Sequence, residues 1–106
     1  KIAKFKVEFK ERAIEEITKN WNVAPLLEKA NYEKYVVIIE LFIDSKGQVK
    51  EVNVIYPKTL EGDFLVAKRL AMSAIAKSVP FKMSEQLLPE GIKLKIAFEP
   101  SSMTEN

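Results

Sequence analysis

The strongest constraint on the fold lies within residues 35–57, where two apolar, β-branched segments flank a short polar turn. The first segment is apolar at every second position and mostly apolar at the positions between them. A strand with this pattern belongs in the middle of a sheet rather than at its edge. The second segment places Val52, Val54 and Tyr56 on one face and polar residues on the other. That alternation indicates a strand buried on one side only.

The residues between the two segments are suited to a tight turn. Asp44 can accept hydrogen bonds from the backbone of the turn, and Gly47 can adopt the positive φ that such a loop requires. The sequence therefore predicts a β-hairpin.

A helix is predicted over residues 8–20, ended by Asn20, Asn22 and Pro25. Residues 1–10 fit either a strand or an N-terminal extension of that helix, and we favour the extension. We therefore expect a single domain over residues 1–106, with residues 1–7 as its extension. The apolar residues of the helix recur at spacings of three and four: Ala13, Ile14, Ile17 and Trp21.

A second helix is predicted after the hairpin, with Thr59 or Asp63 as its N-cap. Its apolar stripe combines small and large side chains and is suited to lying on a sheet. Residues 26–34 form a turn or short helix before the hairpin, and residues 84–89 a short helical turn after the second helix. The apolar stripe is Phe64, Ala67, Leu70, Ala71, Ala74 and Ile75.

Residues 92–99 alternate between apolar and polar side chains, which predicts a third strand. If this strand lies beside the first, the sheet is fully antiparallel in the order 2-1-3, with the most apolar strand at its centre. Both helices then pack on one face. The predicted fold is a two-layer α+β domain with the element order α-β-β-α-β.

The composition argues against catalysis. Histidine and cysteine are absent, which removes the usual general base, the thiolate nucleophile and the common zinc ligands. The acidic pair Glu15 and Glu16 lies on the predicted solvated face of the first helix. Gly47, Gly62 and Gly91 are too far apart for a phosphate-binding loop. We expect a non-catalytic interaction domain with no cofactor, no metal and no small-molecule substrate.

The net charge of +2 neither demands nor excludes a polyanion. No run of five or more basic residues marks a nucleic-acid patch, and we expect no nucleic-acid partner. A small nucleic-acid-binding α+β domain is nevertheless the alternative from another class, because the charge is positive.

Several short motifs, taken in order over residues 8–103, resemble the C-terminal domain of TolA. The wider family also contains the TonB C-terminal domains, whose proline-rich entry and aromatic-glycine signature are not evident here. The resemblance is carried by Trp21-Asn22 at a helix end, the turn Asp44-Ser45-Lys46-Gly47, the helix with Phe64, Ala67, Ala71 and Ala74, the turn Val79-Pro80-Phe81-Lys82-Met83, and the ending Ile96-Ala97-Phe98-Glu99-Pro100.

The resemblance implies a periplasmic domain at the end of a longer protein that is anchored in the inner membrane. TolQ and TolR would act on the anchor, which would lie outside this sequence. The domain would bind TolB and other Tol–Pal components and so support envelope integrity and division. Colicins and filamentous phage coat proteins would also use it as a receptor. The alternative within the family is a TonB-type transducer that binds short peptides of outer-membrane receptors.

The chain departs from the TolA pattern at two positions. Related domains often carry a cysteine just before the Trp-Asn pair and another before the Pro-Phe turn, where this chain has Asn20 and Ser78. We therefore expect that no disulfide joins the two helices and that the packing of Trp21 alone holds the first one. Compared with a related domain that has the disulfide, this chain would be less stable by about 2–4 kcal/mol.

The free side of the third strand is the candidate binding site. An edge strand offers unpaired backbone groups to which a partner strand can add. TolA and TonB domains are similar in recruiting partners at this region, and Lys93 and Lys95 would pair with acidic residues of the partner. The reading that these lysines only protect the edge against aggregation is the alternative. The predicted binding residues are Ile92, Lys93, Leu94, Lys95, Ile96, Ala97 and Phe98.

Overall fold

A computed structural model describes residues 2–82 and 88–103 of the chain. The main elements are three helices and three strands, with a short 3-10 turn at Tyr32–Lys34 and another at Pro100–Met103. In chain order they are α1 (Ile2–Lys19), α2 (Ala24–Leu27), β1 (Val37–Ile43), β2 (Val49–Tyr56), α3 (Asp63–Ser78) and β3 (Ile92–Phe98).

The three strands form one antiparallel sheet in the order β2-β1-β3. The predicted α+β fold, its strand order and its α-β-β-α-β sequence of elements are confirmed. The first helix is continuous from Ile2, so the strand reading of residues 1–10 is wrong and the helical one is correct. The helical turn predicted over residues 84–89 falls largely outside the described residues.

The core lies between one face of the sheet and the helices α1 and α3. The alternate side chains of β1 on this face have no exposed surface, as expected for a central strand. Alanines dominate the buried stripe of α3, and their small size lets the helix approach the sheet closely. The buried residues of the two helices are Phe9, Ala13 and Ile17 of α1, and Ala67, Ala71, Ala74, Ile75 and Ser78 of α3.

The hairpin turn is held by side-chain and backbone hydrogen bonds. The backbone N–H groups of Lys46 and Gln48 each donate to the Asp44 carboxylate at 2.9 Å. Gly47 has a φ of +86°, and the N–H of Phe81 donates to its carbonyl oxygen at 2.9 Å. A Cβ atom on Gly47 would overlap the Phe81 carbonyl. Glycine is therefore required both by the turn and by the close approach of the segment after α3.

Two contacts join the end of α1 to the rest of the domain. The ring of Trp21 is 7% exposed and packs edge to face on Phe98, with ring centroids 5.3 Å apart. The Asn20 side-chain amide donates to the Ser78 hydroxyl at 2.9 Å, and that hydroxyl donates to the Ala74 carbonyl at 2.8 Å. The expectation that Trp21 alone holds the helix is therefore wrong, because a hydrogen bond between Asn20 and Ser78 also joins the end of α1 to α3.

Tyr56 differs from its predicted position. The sequence placed it with Val52 and Val54, which do pack against the core. A register shift between Ile38 and Ile39 breaks the alternation in β2, so that Tyr56 pairs with Ile38 and is 45% exposed on the opposite face. An extra residue in one strand turns the following side chains to the other side.

The predicted N-cap of α3 is also wrong. The helix begins at Asp63, and Gly62 occupies the cap position with a φ of +55° and no side-chain hydrogen bond. Asp63 instead lies in the first turn, where it forms an ion pair of 3.2 Å with Lys29. A carboxylate in the first turn of a helix is favoured by the helix dipole without being a cap.

Replacing Trp21 with alanine is expected to lower the free energy of unfolding by about 3–5 kcal/mol, because a large buried ring is lost and a cavity remains. Replacing it with phenylalanine should cost much less. The indole N–H is buried and has no hydrogen-bond partner among the described residues, so its removal leaves no new unsatisfied group there. Urea unfolding of the three proteins checks this. Equal stability of the native and alanine proteins would contradict the buried packing.

The Asp44 carboxyl is expected to titrate below its ordinary pKa of 3.8, chiefly because the Gln48 N–H donates to its charged form. Its contribution to stability is present above the unfolded-state pKa and is lost as the pH falls through the lowered folded-state pKa. The stability gap between the native protein and Asp44→Asn should therefore close in acid. Carboxyl NMR titration gives the pKa directly, and a midpoint above 3.8 would contradict the turn geometry.

The contact between Asn20 and Ser78 predicts that a double variant, Asn20→Cys with Ser78→Cys, forms a disulfide on oxidation. The two side chains already meet at 2.9 Å, so their Cβ atoms must approach each other to reach the separation of about 3.5–4.5 Å that a disulfide requires. The bridge closes a loop between positions 58 residues apart and should stabilise the domain by about 2–4 kcal/mol. The reduced form of the same protein is the control, and free thiols that persist under oxidant would refute the prediction.

Candidate functional site

The sheet has two outer edges, formed by β2 and β3. The pairing of β3 with β1 is regular over its whole length, from Val37 opposite Phe98 to Ile43 opposite Ile92. The pairing of β2 with β1 has register shifts near both ends, one between Ile38 and Ile39 and one between Phe42 and Ile43. Such irregularities bend a strand and disrupt its row of backbone groups. The β3 edge is therefore the better template for an added strand.

The predicted binding residues all lie on β3, and their side chains divide between the two faces as the alternation predicted. Lys93, Lys95 and Ala97 are exposed on the face of the sheet that the helices leave open. The other four contribute to the core, so their side chains belong to the helix-covered layer: Ile92, Leu94, Ile96 and Phe98.

Each exposed side chain of β3 has a direct neighbour on β1. Lys93 is opposite Phe42, and Lys95 is opposite Glu40. The two lysines therefore differ in their surroundings, because only Lys95 has a carboxylate as its cross-strand neighbour. On their outer side neither lysine has a neighbouring strand among the residues that the structure describes.

Neither lysine forms an ion pair within residues 2–82 and 88–103. The ion pairs found there are Lys29 with Asp63 and Lys50 with Asp44. Solvated, unpaired ammonium groups on an edge strand discourage the pairing of apolar strands. The same groups remain available to a carboxylate on an incoming segment.

A second surface feature is an open groove of about 390 Å³ between α1 and the segment that follows α3. Its floor includes Phe9 and Phe81, whose rings meet edge to face at 6.2 Å, and the Arg12 guanidinium lies 6.0 Å from the Phe9 ring centroid. Charges of both signs surround these rings. The groove is lined by Phe9, Arg12, Ala13, Glu15, Glu16, Ser78, Pro80, Phe81 and Lys82.

The groove holds no arrangement typical of a catalytic centre. The buried hydroxyl of Ser78 is engaged by Asn20 and Ala74, and in the part of the chain that the structure describes no basic side chain forms a hydrogen bond with it. Within the described ranges, no cluster of three carboxylates could bind a metal ion. No helix there has both the length and the hydrophobicity needed to cross a bilayer. The expectations of no enzyme activity and no metal stay predictions.

Two exposed apolar residues of α1 were not predicted as part of a surface. Ile14 was assigned to the apolar face of the first helix, yet it is 36% exposed, and Val7 is 56% exposed. They are seven residues apart and therefore lie on the same side of the helix. That spacing is visible in the sequence, but the direction in which this side faces depends on how α1 packs.

Comparisons with protein-family models, with curated proteins and with solved structures find no match to this chain.

Proposed function

We propose that this domain is a non-catalytic interaction module that binds an extended segment of a partner protein along β3. The observation that carries the proposal is the regular outer edge of β3, with Lys93 and Lys95 exposed beside it and without an ion pair in the described part of the chain. A strand added there would complete backbone hydrogen bonds that the sheet leaves open.

The backbone and the side chains of β3 have different roles in this proposal. In an antiparallel pair, successive backbone groups point alternately toward and away from the neighbouring strand. About half of the N–H and C=O groups of β3 are therefore directed outward, and they supply affinity for any extended chain. The side chains of β3 provide selectivity, since the ammonium groups of Lys93 and Lys95 favour carboxylates.

The resemblance to TolA domains specifies the setting of the proposal. The contact between the Asn20 and Ser78 side chains supports it, because these are the positions where such domains often carry cysteines. We propose a periplasmic domain of an inner-membrane-anchored protein that binds TolB and other Tol–Pal components. Colicins and filamentous phage coat proteins would use the same edge, and TolQ and TolR would act through the anchor. A proline-rich spacer upstream would instead favour the TonB-type alternative.

Amide chemical-shift mapping with a peptide from the N-terminus of TolB tests the proposal. The expected result is a continuous set of perturbations over β3 and its neighbour β1, because an added strand changes the hydrogen bonding of the edge. Perturbations confined to α1 and α3, with residues 93–98 unchanged, would overturn strand addition.

A pair of charge-matched variants completes this test. Lys93→Glu with Lys95→Glu should weaken binding of an acidic segment about tenfold, since two favourable charge pairs become repulsive. Lys58→Glu with Lys77→Glu changes the net charge equally at exposed positions away from β3 and should leave the affinity unchanged. Equal weakening of both would indicate a general charge effect instead of a defined site.

A further inference from the structure

Ile14 and Val7 lie on one side of α1, and the contacts of the opposite side show which way they face. The opposite side carries Arg12, which lines the groove together with Ser78 and Phe81 and so faces the end of α3. Ile14 is two residues from Arg12, or about 200° around the helix. Ile14 and Val7 therefore point away from α3.

The strands on which the two helices pack show where this side of α1 lies relative to the sheet. In the described residues α3 packs on the central strand β1, whereas α1 packs on the edge strand β3. Moving from α3 to α1 thus corresponds to moving from the centre of the sheet to its edge. The side of α1 that points away from α3 would then overhang the free edge of β3.

The position of Ile14 along the strand can be judged from one contact in the middle of α1 and one just after its C-terminal end. Trp21 packs on Phe98 at the end of β3. Phe9 contacts Phe81, which bonds to the hairpin turn near the beginning of β3. At about 1.5 Å per residue, Ile14 is about 10 Å from Trp21 along the helix. That distance is roughly half the length of a seven-residue strand, so an α1 that runs along β3 would bring Ile14 near the middle of the edge.

A strand added to β3 would lie about 4.8 Å outside it, with side chains pointing alternately to the two faces of the sheet. On the helix side these side chains would meet the overhanging apolar surface of Ile14 and Val7. On the open side they would lie beside Lys93 and Lys95. One row of side chains on the incoming strand would therefore meet an apolar surface, and the other row would meet two positive charges.

We propose that the β3 edge selects a partner segment in which apolar residues alternate with acidic ones. The apolar row packs against Ile14 and Val7, and the acidic row pairs with Lys93 and Lys95. This inference rests on the proposed function, to which it adds the pattern that the partner must carry. It also predicts that Lys93 contributes more than Lys95 to binding of the acidic row. The neighbour of Lys93 on β1 is Phe42, whereas Lys95 already has the Glu40 carboxylate opposite it.

Three capped nine-residue peptides, each shown to be monomeric, separate this pattern from plain strand addition. The first alternates valine and glutamate, the second has the same composition in two blocks, and the third alternates valine and lysine. The alternating acidic peptide should bind at least about tenfold more tightly than the other two. Equal affinities for the alternating and block peptides would overturn the inference.

Matched variants of the domain test the apolar row. Ile14→Gln should weaken binding of the alternating acidic peptide by about tenfold. Leu65→Gln changes a residue of similar character on α3, 46% exposed, and should have no effect. Lys93→Gln should weaken binding more than Lys95→Gln. Amide dispersion confirms that each variant is folded.

The outcomes distinguish this inference from the proposed function. If the peptides perturb residues 93–98 but Ile14→Gln and Leu65→Gln bind alike, the apolar row is refuted while strand addition stands. If no peptide perturbs β3, both fail. If sedimentation shows a dimer that the alternating acidic peptide does not displace, a second copy occupies the edge and the inference fails.

Discussion

The complete burial of one face of β1 is the constraint on which the rest of the fold depends. Val37, Ile39, Leu41 and Ile43 have no exposed surface, and a strand this apolar gains most when neighbours lie on both of its sides. Placing it at the centre leaves β2 and β3 as the two edges. The helices must then cover the same face, with α3 over β1 and α1 over β3. In that arrangement, the side of α1 that carries Ile14 and Val7 would overhang the edge.

The parts of the fold that the sequence predicted are those set by local periodicity. The alternation over residues 92–98 was sufficient to assign every β3 side chain to its face, and Asp44 and Gly47 specified the turn. The errors arose where the outcome depends on an interaction with another element. Tyr56 changed face because of an irregularity in pairing with β1. Ile14 fits the apolar spacing of α1, but a helical period does not indicate which neighbour each side meets.

The candidate site was predictable to the same degree. Its strand and its lysines could be read from the alternation of the last segment, because an edge position follows from the 2-1-3 order. The regular pairing of β3 and the broken pairing of β2 could not be read from the sequence, since register shifts arise from fitting two strands to each other. The contact between Asn20 and Ser78 is likewise tertiary, joining residues 58 positions apart.

The two readings of Lys93 and Lys95, protection and recognition, describe one physical property. A solvated ammonium group makes pairing with an apolar or basic strand unfavourable, because its hydration is lost without compensation. A strand with carboxylates at the matching positions avoids that penalty. The two lysines would therefore disfavour most strands and favour the few that carry matching carboxylates. In the proposed complex, the position of α1 adds a second requirement for the partner strand, namely apolar side chains on the helix-covered face of the same edge. Trp21 of the α1 segment packs on Phe98 of β3, so the contacts that hold α1 in place also maintain the shape of the surface that an added strand would meet.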